Sequence, residues 1–62
     1  MTAQDAKIIE AMQKHGGSFI QRLAAAYIAA DPINKGKIRG TFEAEFNRYQ
    51  AMAEAMQEAD HD

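Results

Sequence analysis

An all-α fold, with three or four short helices packed as a small bundle, is what this sequence predicts, and three observations carry the prediction. Alanine, glutamine, glutamate and methionine dominate, all good helix formers, and valine is absent. Ile20, Leu23, Ala24, Tyr27 and Ile28 form an i, i+3, i+4, i+7, i+8 stripe, the spacing of one helix face. Residues suited to starting and stopping helices separate this stripe from its neighbours.

The first helix opens on Thr2 and Asp5, an S/T-x-x-D/E capping signature. It is expected to bury Ala6 or Ile9, with Ile8 and Met12 alongside. Glu10 and Lys14 stand four apart in the favourable order. Lys14 and His15 complement the dipole at the helix end, and Gly16 is a natural C-cap. Gly17 continues the turn, and Ser18 with Gln21 reads as a second capping box. The second helix carries the stripe above. Ala25, Ala26, Ala29 and Ala30 cover much of its other side, so it is apolar nearly all round, which predicts a central position.

Asp31-Pro32 ends that helix, because proline disfavours helical backbone in the residue before it. Asp31 can then cap a new helix with Pro32 in its first position. This third segment is predicted as a short helix over 32–39, passing Ile33 and Ile38, with a kink or break at Gly40-Thr41. A longer helix follows over 42–58. Its stripe is Phe42, Phe46, Tyr49, Ala53 and Met56, with Met52 beside it; Glu43, Asn47, Gln50, Glu54 and Gln57 oppose them. Glu58, Asp60 and Asp62 place negative charge at a helix C-terminus, which predicts fraying from about residue 59. The whole of 1–62 reads as one domain.

The core is thin. Sixteen large apolar side chains accompany thirteen alanines. Full burial of each large one gives roughly 1.5–3 kcal/mol, against about 1.5 kcal/mol per residue for ordering the chain. A chain this small gains by association, which predicts a homodimer or another self-associated form. The stripe of the last helix points the same way, since Met52 and Met56 extend past what the short first and second helices can cover, and methionine suits adaptable surfaces.

There is no cysteine, so neither a disulfide nor a thiolate nucleophile is available. A net charge of −2 does not suggest a polyanion-binding protein. No apolar run is long enough to span a bilayer, and no basic flank followed by an apolar run marks a leader. A cytoplasmic protein with no membrane association is expected.

The run His15-Gly16-Gly17-Ser18-Phe19-Ile20 through Leu23, then Ala29-Ala30-Asp31-Pro32 and Phe42 to Tyr49, resembles a class of short, uncharacterised open reading frames of temperate phages and prophages. These combine an HGG-(S/G)-F segment, an alanine-rich helix, an (A/D)-D-P-x-N step and an aromatic-rich ending. The resemblance spans about residues 15–49. It implies a mobile-element origin and, by association, a protein that acts in the bacterial host cell by binding and redirecting host proteins, defence systems included.

Chemistry-bearing groupings are few. Gly16-Gly17-Ser18 precedes a helix N-terminus, where backbone N–H groups can hold phosphate, but the P-loop order G-x-x-x-x-G-K-[ST] is missing. The turn is better read as a C-cap followed by an N-cap. His15 and Ser18 read as a dipole-facing surface residue and a cap, not a base and nucleophile, and Asp60-His61-Asp62 is too short and terminal for a fixed metal cage. No enzymatic activity, cofactor or metal is expected.

Lys35, Lys37 and Arg39, flanked by Arg22 and Arg48, form a basic cluster. A helix, a turn and a basic segment suggest a helix-turn-helix, with Asn34, Lys35 and Arg39 as DNA contacts. Two glycines interrupt that helix, however, and Glu43 and Glu45 follow at once. Three cations spaced two apart spread across about 200° of a helix, not one row. The expectation is that Lys35→Glu combined with Arg39→Glu leaves the fold intact and abolishes no sequence-specific DNA complex, because there is none to abolish.

Taken together, the sequence predicts a non-catalytic phage- or prophage-type protein that binds and modulates or inhibits a bacterial host protein. The interaction residues expected are Lys35, Lys37, Arg39, Arg48, Tyr49, Met52 and Met56. A small DNA-binding or transcription-accessory protein is the alternative, and a virion or assembly part is a third reading.

Overall fold

The computed structural model describes residues 2–59. Helix α1 is Ala3–His15, α2 Ser18–Ala29, α3 Pro32–Thr41 and α4 Glu43–Ala59, and there is no strand among the described residues. The tail after Ala59, to which the predicted fraying and the Asp60-His61-Asp62 motif belong, lies outside the described residues.

The first cap forms as the sequence predicts: Asp5 N–H donates to Thr2 Oγ1 at 3.1 Å, offsetting one of the donors a helix start leaves unpaired. Gly16 closes α1, its N–H reaching the Met12 carbonyl at 2.9 Å. Its backbone is extended (φ −82°), not left-handed. Glycine is needed here for room: a Cβ would stand 2.5 Å from the Met12 oxygen and 2.6 Å from Ile20 Cβ.

The second capping box does not form. Gly17 is the N-cap of α2, without a side-chain cap bond, and Ser18 is already helical. With Gly16 and Gly17 both extended, the turn is so tight that α2 starts one residue earlier than a Ser18 cap would allow. Gln21 turns back instead, its Nε2 donating to the Gly16 carbonyl at 3.1 Å.

Asp31 caps α3 as predicted, its Oδ1 accepting from Asn34 N–H at 2.7 Å, with Pro32 in the first turn. The break before α4 falls at Phe42 (φ −111°, ψ 35°), two residues past Gly40, and the two glycines of α3, Gly36 and Gly40, stay helical. Backbone bonds run through it, from Phe42 N–H to Ile38 and from Phe46 N–H to Phe42, so the chain bends there and does not part.

The helices neighbour one another in a closed cycle: α1 packs on α2 and α4, and α3 packs on α2 and α4. The first half of α1 (Gln4, Lys7, Ile8) lies beside the middle of α4 (Gln50, Ala53, Glu54). Phe19, just after α1, meets Phe42, just before α4, so the two helices run in opposite senses. The core comprises Ile8, Ile9, Ala11 and Met12 of α1, Leu23, Ala24 and Tyr27 of α2, and Phe46 and Tyr49 of α4. Ile20, Ile38, Phe42, Met52 and Ala53 pack against it.

Of the two alternatives expected in α1, Ile9 is the buried one and Ala6 is exposed. The expected central position of α2 is corrected: Ala25, Ala26 and Ala29 face solvent, and Ile28 is 45% exposed. In a closed cycle every helix keeps one face outside, and alanine leaves little apolar area there to drive further burial. Helix α1 takes the larger share of the core because it lies between the two helices that supply the buried aromatics.

Candidate interaction surface

Helix α3 has two stripes at the same i, i+3, i+4, i+7 spacing. The inner one, Lys35, Ile38, Arg39 and Phe42, is half-buried throughout. The outer one, Ile33, Gly36, Lys37 and Gly40, is exposed throughout.

The inner cations face the bundle. Lys35 Nζ donates to the Ala30 carbonyl at 2.7 Å and stands 5.8 Å from the Tyr27 ring centre. Helix α2 has no basic residue in its own last turn, so a lysine from the next helix places positive charge at its C-terminal dipole. Arg39 donates to Asp5 in the first turn of α1 at 3.3 Å and lies over the Phe46 ring at 5.1 Å. Ring faces attract cations in this geometry. Lys35, Gly36 and Arg39, with Thr2, Asp5 and Tyr27, line an open groove of about 420 Å³.

This placement bears on the expectation about charge reversal. Lys35 and Arg39, four apart, return to within about 40° of each other on a helix. They act as one inward pair, and Lys37 alone turns outward. A glutamate at 39 would face Asp5 across a former, partly solvent-screened ion pair, which sets a modest cost against the reversal. Lys35 and Arg39 are half-buried, whereas Lys37 is exposed.

On the outer stripe Ile33 is 75% exposed, the most exposed of the large hydrophobic residues among the described ones. Gly36 and Gly40, one turn apart, have nothing within 4 Å of where a Cβ would stand and no positive φ. Neither glycine is required by the fold of the monomer, and each weakens a helix interior by roughly 1 kcal/mol relative to alanine. Together they leave two notches beside an exposed isoleucine, a shape that admits the close approach of another backbone. Sequence reasoning treated Gly36 and Gly40 only as helix weakeners and Ile33 only as a passing apolar residue, although the 33-36-37-40 spacing marks them as one face.

The other predicted interaction residues lie on α4 and do not join this face. Tyr49 is 5% exposed and serves the core, not a partner. Arg48 is exposed and lies 5.9 Å from the Tyr49 ring centre. Met52 is half-buried against the core and Met56 is half-buried, so part of the surplus expected of this stripe is taken up within the chain. Between α1 and α4 a second depression of about 250 Å³ is lined by Gln4, Lys7, Ile8, Gln50, Ala53 and Glu54.

Charge is unevenly spread. Residues 32–42 contain three cations and no acid, a local +3; the rest of the chain has four cations and nine acids, −5, and the sum is the net −2. No helix among the described residues is long and apolar enough to cross a membrane, and no group of three or more histidine or acidic side chains is placed to hold a metal among them. The chain matches no family model, no curated protein and no solved structure.

Proposed function

We propose that this chain is a non-catalytic protein of phage or prophage type that binds and modulates a bacterial host protein in the cytoplasm, and that the outer face of α3 is where the partner docks. An inhibitor of a defence system is one concrete form. What supports docking at this face is the 75% exposure of Ile33 beside the open notches at Gly36 and Gly40. The phage origin rests on the resemblance over residues 15–49. Self-association as a homodimer belongs to the same reading, because the core holds nine buried residues among the described ones.

The test compares affinity capture from a bacterial host lysate by the wild type, Ile33→Asp and Gly40→Gln. Both substitutions sit on solvent-facing helix positions, where changes in stability stay within about 0.5 kcal/mol or favour the helix. A host protein retained by the wild type and lost from both variants, at unchanged thermal stability, supports the reading. Equal capture by all three removes α3 from the interface. A sequence-selective mobility shift of DNA at about 0.15 M salt, lost in Lys37→Glu, promotes the DNA-binding alternative instead. Sedimentation at micromolar concentration reads the oligomeric state against the 6.9 kDa of one chain.

A further inference from the structure

Helix α3 differs from the other three in what holds it. It contributes no buried residue, whereas α1, α2 and α4 supply all the buried core residues among the described ones. Its ten residues include two interior glycines, and an isolated helix shorter than about 12–15 residues is marginal even in alanine-rich sequences. Its tertiary attachments include the half-buried Ile38, the Lys35 bond to the Ala30 carbonyl and the Arg39–Asp5 pair, whose side chains are 33% and 24% exposed. A solvent-screened pair of that kind holds an element weakly.

The remaining helices have a connected core without it. Helix α1 packs directly on both α2 and α4. The α2 and α4 sides also meet through Tyr27 and Phe46, ring centres 5.2 Å apart, and through Phe19 and Phe42 at 5.9 Å. What α3 adds over this aromatic seam is cover, with Lys35 over Tyr27 and Arg39 over Phe46.

We propose that α3 is a strap that opens as a unit while α1, α2 and α4 stay folded, and that its opening uncovers the rings of Tyr27 and Phe46. Elements with few buried contacts open below the free energy of global unfolding, in contiguous cooperative pieces. The opened strap is a loop of about ten residues between the end of α2 and Phe42. Its ends stay pinned, because the Phe19–Phe42 contact fixes one and the α1–α2 packing the other. The property belongs to the chain alone and is independent of any partner.

Native-state amide hydrogen exchange, followed residue by residue in low denaturant, tests it. The amides of Gly36 to Phe42 should exchange faster than those of Ile8 to Met12 and with little dependence on denaturant, the mark of a small opening. Gly36→Ala with Gly40→Ala should slow exchange in α3 roughly fivefold for each glycine, the equivalent of the propensity gap between the two residues, and leave the ratio of α1 to α4 protection unchanged. Exchange in α3 with the same protection and denaturant dependence as α1 overturns the strap, as does a pair of substitutions that slows all four helices equally. The wild-type profile is informative alone, and alanine at two open helical positions carries no steric obstacle to folding.

Discussion

Replacing Gly16 with alanine places a methyl group in the corner where α1 turns into α2. The new Cβ would lie 2.5 Å from the Met12 carbonyl oxygen and 2.6 Å from Ile20 Cβ. Neither neighbour is free to retreat. The Met12 oxygen already accepts the Gly16 N–H at 2.9 Å, and Met12 is fully buried; Ile20 is packed against the core. Relief therefore requires α2 to move away from α1 at its N-terminus. Overpacking of this kind costs about 1–3 kcal/mol, and two contacts this short argue for the upper half of that range. Alanine regains about 0.4–1 kcal/mol by restricting the unfolded chain, which leaves a net loss of about 1–2.6 kcal/mol. A domain of this size loses about 4–8 °C in melting temperature per kcal/mol, so a drop of about 4–20 °C is expected by circular dichroism. Gly17 is the internal control: nothing lies within 4 Å of its Cβ position, and it is an N-cap without a side-chain acceptor. Gly17→Ser should be neutral or stabilising by a few tenths of a kcal/mol. A Gly16→Ala protein as stable as the wild type would refute the close-approach explanation and return Gly16 to an ordinary cap.

Other outcomes follow from the same structure. Phe46 is 1% exposed, so Phe46→Ala should cost about 3–5 kcal/mol and leave the chain largely unfolded by circular dichroism; a cooperative melt near the wild-type temperature would contradict its placement. Asp31→Ala removes the acceptor of the Asn34 N–H and should cost about 0.5–2 kcal/mol, seen as a lower denaturation midpoint. Arg39→Glu should destabilise more than Arg39→Gln, because it sets a second carboxylate against Asp5; equal melting temperatures would show that the pair contributes nothing. The hydrogen bond and charge of Lys14 hold the Glu10 carboxyl below its ordinary value of 4.5. Its contribution to stability is complete above that value and is lost as pH falls through the lowered one. Lys14→Gln should return the Glu10 titration, followed by NMR, toward 4.5, and an unmoved titration would assign the shift elsewhere.

Local signals along the chain determined that the chain is helical and where α1 and α3 start. Thr2 and Asp31 each carry an oxygen that the third following N–H can reach, and Pro32 fits only a first turn, so these starts depend on no distant contact. The stripe of α4 also survived folding, with Phe46 and Tyr49 buried and Phe42, Met52 and Ala53 against them. Tertiary structure decided what periodicity cannot express, namely which face of an all-round apolar helix turns inward and which helices meet. The alanines of α2 gave no preference, and the closed cycle of neighbours left Ala25, Ala26 and Ala29 outside. The basic segment shows the same limit. Spacing alone made Lys35, Lys37 and Arg39 one cluster, but the carbonyl at the end of α2 and Asp5 of α1 drew Lys35 and Arg39 inward and left Lys37 out. Their acceptors lie 5 and 34 residues away, and the longer of these pairings exists only after the helices have packed. The exposed face of Ile33, Gly36 and Gly40 is the complement of that choice, because once the cations of α3 face the bundle, the opposite side of the helix must face solvent.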